Sequence, residues 1–289
     1  VKIRAPAKIN LSLRVVGRRA DGYHLLDTII VPVSLYDEIE IGKVRVRSKN
    51  KKLAPPSIKV ICKHPLVPSD EKNLVYQAAR LLLGKAKSEQ PIEIRIRKRI
   101  PVGAGLGGGS SDAAATLVGL NRLLGLGFSV KQLERLGLQL GADVPFFIRG
   151  RPARACGIGE RLQQFGPLRR LWAVILYPGF PVSTAWVYGN LPAKLTKPSV
   201  NTSIASLLTG AGSLANLLVN DLERVSLSRY PKIGLLKRAL LRAGAAGSLM
   251  SGSGSSVFGV FKSKRKAQKA FRRLRQEEEF QAFLVHVLS

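Results

Sequence analysis

The chain has 289 residues, 45% of them hydrophobic, with 47 Lys and Arg against 18 Asp and Glu, a formal net charge of +29. That length gives one large or two modest domains, the hydrophobic fraction excludes a disordered chain, and no apolar run approaches the ~20 residues needed to span a bilayer. No signal peptide is expected, and the lone Cys62 and Cys156 make neither a disulfide framework nor a metal cluster, which suits a reducing, cytoplasmic setting. So positive a balance attracts anions such as nucleotides, phosphorylated substrates, nucleic acid or anionic lipid. The denser basic runs, Lys43 to Lys52, Arg95 to Arg99 and Lys262 to Arg275, read as solvated faces: a nucleic-acid groove would interleave aromatics, and only Phe271 does so.

Residues 1 to about 60 read as strands and turns. Lys8 to Leu13 alternates, Gly22 makes a turn, Thr28 to Leu35 is mostly apolar, and Pro55-Pro56 closes a basic loop. Asp70 is the expected N-cap of a helix carrying Leu74, Ala78, Leu81 and Leu82. Ile92, Ile94 and Ile96 alternate with charged residues, the mark of a half-buried strand. A glycine-rich turn leads from it into a helix carrying Ala113, Leu117, Leu120 and Leu124. Ser129 with Gln132 makes a capping box for the next helix, which stops at Gly141. A second half begins near Arg151. It holds a strand at Trp172 to Tyr177, a loop-rich Pro192 to Ser203, a helix near Ile233 to Arg242 and a glycine-serine turn at Ser251 to Ser256. A strand at Val257 to Phe261, a basic helix at Lys264 to Gln276 and a strand at Phe283 to Val287 complete it. The whole reads as α+β in two lobes, 1–150 and 151–289.

The glycine turn carries the chemistry. Pro101-Val102-Gly103-Ala104-Gly105-Leu106-Gly107-Gly108-Gly109-Ser110-Ser111 leaves backbone N–H groups unobstructed before a helix N-terminus, which makes a site for phosphate oxygens. No lysine follows the glycines, so it is not a Walker A loop. Gly103-x-Gly105-x-x-Gly108 fits the dinucleotide pattern, but the acid due about 20 residues later, at the end of the next strand, is missing. Ser110 and Ser111 can offer hydroxyls to phosphate or metal, and Asp112 can cap the helix. Few of the carboxylates lie near apolar or glycine-rich segments; Asp112 and Asp143 do.

Pro101 to Ser111 resembles the second motif of the GHMP kinases. Lys8 and Asn10, in Pro6-Ala7-Lys8-Ile9-Asn10-Leu11, resemble the first motif, and Leu249-Met250-Ser251-Gly252-Ser253-Gly254-Ser255 the third. Three further segments resemble the branch of that family whose acceptor is a cytidyl-diphosphate sugar alcohol: Arg19 to His24, Leu140 to Phe147 and Asn220 to Glu223. The resemblance implies a lobe like ribosomal protein S5 domain 2, a ferredoxin-like lobe, and ATP with Mg²⁺ as cofactors. It implies Asp143 as general base and Lys8 as its partner; Asp143 as a helix-terminus hydrogen-bonding group is the structural alternative. Asn10, Tyr23, His24, Thr184 and Tyr188 would hold the acceptor, with the rings of Tyr23 and Tyr188 against a cytosine. Trp186 is an alternative stacking ring. The loop, with Asn73 and Lys98 near the adenine, would hold ATP. His64 and His286 read as structural or surface residues.

Asp112 stands where the family often has Asn, and Met250 where it commonly has Thr. How a metal would be held is not legible. A monomer or weak homodimer is expected. The rival readings are a homoserine or mevalonate type of GHMP kinase, which has no use for a cytosine site, and a basic RNA-binding protein. Nucleic acid is otherwise expected only as a non-specific consequence of charge.

Overall fold

A computed structural model describes residues 1–44, 57–166, 171–192 and 217–288. Most of the basic run from Lys43 to Lys52, the Pro55-Pro56 pair and most of the Pro192 to Ser203 segment lie outside them. The chain forms two compact units: Val1–Ala7, Tyr36–Val102 and Gly108–Gly150 make the first, and Lys8–Leu35, Gly103–Gly107 and Arg151–Ser289 the second. As stretches of chain these units differ from a division at residue 150, because the long strands β1 (Lys2–Arg18) and β2 (His24–Lys43) contribute to both.

In the first unit, residues 38–43 of β2 pair antiparallel with β4 (Ile92–Arg97), and β3 (Ile58–Cys62) pairs parallel with β4. The period-two pattern holds: Ile92, Ile94 and Ile96 are buried while Arg95 and Arg97 face solvent. Among the described residues this unit has four helices: α1 (Leu74–Lys85), α2 (Gly108–Leu124), α3 (Val130–Leu140) and α4 (Val144–Arg149). Gly119 lets α2 lie close to the sheet, since a Cβ there would fall within 2.7 Å of the terminal carbons of Ile3 and Ile41. The capping box at Ser129 and Gln132 forms, and Gly141 ends α3. Asp70 is not the N-cap of α1. Asn73 is: its Oδ1 accepts from the Val75 N–H, while Asp70 closes a local turn by accepting from Lys72 N–H.

The second unit holds the rest of β1 and β2. There β5 (Ala153–Gly157) pairs antiparallel with β2 and with β6 (Arg161–Gln164). Another sheet is formed by β7 (Trp172–Tyr177), β9 (Gly247–Met250), β10 (Val257–Phe261) and β11 (Gln281–His286). Its order is β11-β7-β10-β9 and every pair is antiparallel. Among the described residues, α5 (Thr184–Gly189) and α6 (Glu223–Arg229) precede α7 (Pro231–Arg242) in this unit, and β8 (Val219–Asn220) pairs parallel with β1. With α7 packed between β7 and β9 in sequence and α8 (Lys264–Leu274) between β10 and β11, this is the ferredoxin-like βαββαβ order. The basic helix α8 buries Ala267, Ala270 and Leu274 and turns its cations outward. The core beneath is aliphatic, with Val174, Leu176, Ile233, Leu236, Leu240 and Val257 at its centre.

Candidate active site

Lys8, Asn10 and Ser12 share one face of β1 and all are buried, which demands partners for each polar atom. Lys8 Nζ donates to Asn10 Oδ1 (2.6 Å), Asn10 Nδ2 to Thr28 Oγ1 (2.9 Å), and the Thr28 hydroxyl to the Ser12 carbonyl (2.6 Å). Asn10 therefore spans Lys8 and Thr28 and aims the ammonium. Thr28, on the neighbouring strand, was not legible as a site residue.

The glycine loop wraps this lysine. The Lys8 N–H donates to the Leu106 carbonyl at 3.0 Å. Gly103, Gly105 and Gly107 have φ of +66°, +76° and +71°, conformations that L side chains rarely adopt. A Cβ on Gly105 would lie 2.0 Å from the carbonyl oxygen of Ser251. Two hydrogen bonds fix that approach: Ser251 Oγ donates to the Gly105 carbonyl (2.9 Å) and the Ser256 N–H to that of Ala104 (3.1 Å). Gly252 lies against Lys8 in turn, since a Cβ there would stand 3.3 Å from Nζ. Segments at residues 8, 105 and 252 thus meet within the second unit.

The Asn220 to Glu223 segment supports this meeting. Asn220 Nδ2 donates to the carbonyls of Met250 and Gly252, both at 2.8 Å, and Glu223 Oε1 accepts from Met250 N–H (2.7 Å). Ser226 Oγ donates to the Ser253 carbonyl, and the hydroxyls of Thr184 and Ser253 are 2.8 Å apart.

In the first unit α2 begins at Gly108, so Ser110, Ser111 and Asp112 lie inside the helix. Gly108 and Gly109 do not have positive φ. What Gly108 needs is room: a Cβ would meet Ile100 Cγ2 at 3.1 Å and Lys98 Nζ at 3.2 Å. The Ser111 hydroxyl is buried without a hydrogen-bond partner. Asp112 does not cap the helix. It is buried and accepts from Lys98 Nζ at 2.7 Å, while Lys98 also donates to Asp37. Asp37 was missed, although its signal was present: it follows the inward phase of Leu35, Ile39 and Ile41 on β2. Burial pushes the Asp112 carboxyl up, to about 8; Lys98 opposes the rise and Asp37 adds to it. Burial works against the Lys98 charge, but Asp112 and Asp37 outweigh it and hold the ammonium above the usual lysine range. Asp27, also passed over in the sequence, is buried in a bidentate pair with Arg154 (2.8 and 2.9 Å).

Asp143 sits half-buried just before α4, whose Val144, Pro145, Phe146 and Phe147 anchor it in the core. Its side chain makes no capping hydrogen bond to α4. Asn73 uses its carboxamide on the α1 cap and the Pro68 carbonyl.

In the second unit the rings of His24 and Tyr188 lie 5.2 Å apart, tilted by 31°. Burial and the nearby Arg18 hold the His24 imidazole below the ordinary histidine range, so near neutral pH it can both donate and accept. Tyr23 is 61% exposed. Trp186 instead packs against the Arg229 guanidinium, 4.5 Å from its ring centre, and against Tyr230. His286 Nδ1 lies 3.0 Å from Ser34 Oγ, and His64 Nδ1 accepts from Leu66 N–H. Among the described residues no group of three or more His, Cys, Asp or Glu is placed to hold a metal ion, and no helix is long and apolar enough to cross a membrane.

Comparison with known proteins matches residues 73–151 to the GHMP kinases N terminal domain and residues 200–279 to the GHMP kinases C terminal domain. The 4-diphosphocytidyl-2-C-methyl-D-erythritol kinase of Citrifermentans bemidjiense is 48% identical over 270 residues, covering 93% of this chain and 92% of that one. A crystal structure of 4-(cytidine 5'-diphospho)-2C-methyl-D-erythritol kinase superposes over the whole of both chains with a TM-score of 0.84 at 34% identity. Homoserine kinase from Cytophaga hutchinsonii, 24% identical, shares the fold with a TM-score of 0.73 over 100% of this chain and 94% of that one. The chain belongs to the GHMP kinases and has their mixed α+β fold.

Proposed function

We propose that the protein transfers the γ-phosphoryl group of ATP to the 2-hydroxyl of 4-diphosphocytidyl-2-C-methyl-D-erythritol, a step of non-mevalonate isoprenoid synthesis. The observation that carries the choice of acceptor is the His24–Tyr188 pair. A ring face beside a neutral imidazole suits a cytosine, and homoserine or mevalonate gives such a pair nothing to bind. Tyr23, exposed beside His24, and Thr184, bonded to the Ser253 hydroxyl, complete the acceptor set. The relatives' name agrees with this reading.

The acceptor hydroxyl must lose a proton as it attacks. Asp143 takes it, a general-base contribution of roughly 10²–10⁴-fold. The Lys8 ammonium, aimed by Asn10 and Thr28, meets the negative charge that develops on the transferring oxygens. Pro101 to Ser111 receives the phosphates through backbone N–H groups and the N-terminus of α2, with the unpartnered Ser111 hydroxyl ready to bond an oxygen. Mg²⁺, when bound, neutralises phosphate charge. The Ser110 and Ser111 hydroxyls are hard oxygen donors at the loop and would be the residues to hold it. The enzyme works in the cytoplasm as a monomer or weak homodimer.

The test is a panel of alcohols with ATP. The cytidyl substrate should be phosphorylated and homoserine and mevalonate should not. Turnover of either of those, with none of the cytidyl substrate, overturns the assignment.

A further inference from the structure

Three buried ionisable side chains lie together at the start of α2, and the phosphoryl transfer described above uses none of them. Asp37 comes from β2, Lys98 from the chain just after β4, and Asp112 from α2, all within the first unit. Their side chains are 0, 4 and 4% exposed. Lys98 Nζ donates to Oδ2 of Asp37 and, at 2.7 Å, to Oδ2 of Asp112. Oδ1 of Asp37 accepts the N–H groups of Arg99 and Ile100, the second at 2.9 Å. One ammonium therefore joins a strand, the segment entering the glycine loop and the helix leaving it. It also lies close to the first residue of that helix, since a Cβ on Gly108 would stand 3.2 Å from Lys98 Nζ, tighter than an ordinary contact.

A buried ion cluster is a poor way to add stability, since well-packed apolar side chains of similar volume do as well or better. Its directional bonds do restrict geometry. Here they restrict the position of the first turn of α2 relative to the segment from Lys98 to Ile100. Two of the three N–H donors of the ammonium go to these carboxyl groups, and with its side chain 4% exposed it is turned into the protein.

We propose that Lys98 is a strut, held by Asp37 and Asp112, that sets the first turn of α2 in the geometry needed to receive the ATP phosphates. Lys98 and Asp112 are then positioning residues and Lys98 is not a nucleotide ligand. The inference rests on the reading of the loop and α2 as the phosphate site.

The experiment is calorimetric titration of the full chain with ATP and, separately, with the cytidyl substrate. The proteins are wild type, Asp112→Ala and Asp112→Asn. Asp112→Ala keeps the Lys98–Asp37 pair and loosens only the helix. It should weaken ATP binding about tenfold, the worth of roughly one hydrogen bond to a charged oxygen, and leave cytidyl binding within about twofold. Asp112→Asn, which still accepts from Lys98, should restore ATP binding. Were Asp112→Ala too unstable to titrate, Asp112→Leu fills the volume and serves in the same way. A lysine that contacted the nucleotide directly would be released by Asp112→Ala, and ATP would bind as well or better; that result overturns the strut. Equal loss of both ligands, or no rescue by Asn, marks a merely structural role and also overturns it. If wild type binds ATP but not the cytidyl substrate, the proposed acceptor is wrong while the ATP comparison still decides the role of Asp112.

Discussion

Gly105 is the residue at which the glycine loop touches the Ser251–Ser256 turn, and Gly105→Ala tests how much depends on that contact. Two penalties add. At φ +76° an alanine costs about 1–2 kcal/mol, because its Cβ crowds the carbonyl. The new methyl would also stand 2.0 Å from Ser251 O and 3.0 Å from Gly254 O. Both obstacles are backbone atoms, so no side chain can swing away, and overpacking of that kind adds about 1–3 kcal/mol. Gly127→Ala is the control: φ is +74° but nothing lies within 4 Å of its Cβ, so it meets only the first penalty. At ~2–4 °C per kcal/mol, Gly105→Ala should lower Tm by ~4–20 °C and Gly127→Ala by ~2–8 °C, with the Gly105 variant always the lower of the two. Activity should separate them further. Relief of the clash moves Ser251, and with it Gly252, which lies against Lys8; a misplacement of about 1 Å there costs about 10²-fold in kcat. Gly127→Ala should turn over as wild type does. Thermal unfolding and steady-state kinetics on both proteins settle the matter. If the two variants melt together and Gly105→Ala keeps full activity, the loop and turn do not depend on this contact.

Asp143→Asn should lower kcat by roughly 10²–10⁴-fold while the KM for ATP stays within about threefold; near wild-type turnover would leave the general base unassigned. Thr28→Val breaks the chain from Lys8 through Asn10, so kcat should fall with little change in either KM, and unchanged kcat would show that the chain does not aim Lys8. Tyr188→Ala should raise the KM for the cytidyl substrate about tenfold without changing that for ATP, since the loss is one stacking face; equal effects on both substrates would place the ring elsewhere. The His24 pKa is lowered, so the imidazole is neutral at pH 7 and above, and protonation enters only below the ordinary histidine range. The cytidyl KM should therefore be flat from pH 7 to 8.5, rise in more acidic buffer, and lose that rise in His24→Gln; a wild-type profile that already changes between pH 7 and 8.5 contradicts the shift.

The fold was legible wherever local periodicity decided it. The alternation of β4, the capping box of α3 and the stop at Gly141 all rest on neighbours within a few residues, and all appear. The N-cap of α1 misled because Asp70 and Asn73 are both good capping residues three apart, and only the turn closed by Asp70 decides which one the helix uses. At the site, residue types were readable while their partners were not. Asp112 looked like a helix cap because the helix start was placed too late. Once α2 begins at Gly108 its carboxylate turns inward, toward a lysine 14 residues earlier and an aspartate on another strand. Such pairings depend on strand register, which one sequence does not state.

The glycines of Pro101 to Ser111 show how far a single explanation carries. Read as a phosphate loop, the segment needs glycine so that backbone N–H groups can approach an anion. The structure divides that need among positions. Gly107 requires a positive φ, Gly105 must clear the carbonyl of Ser251, and Gly108 must clear a buried ammonium. The positive φ, which Gly105 shares, belongs to the loop's own conformation; the contact of Gly105 comes from a turn far along the chain and that of Gly108 from the segment entering the loop. Replacing Gly108 should then disturb the Lys98 cluster before it obstructs any ligand. Gly108→Val should lower Tm measurably even with no nucleotide present. An unchanged Tm with weakened ATP binding would return Gly108 to the simpler role.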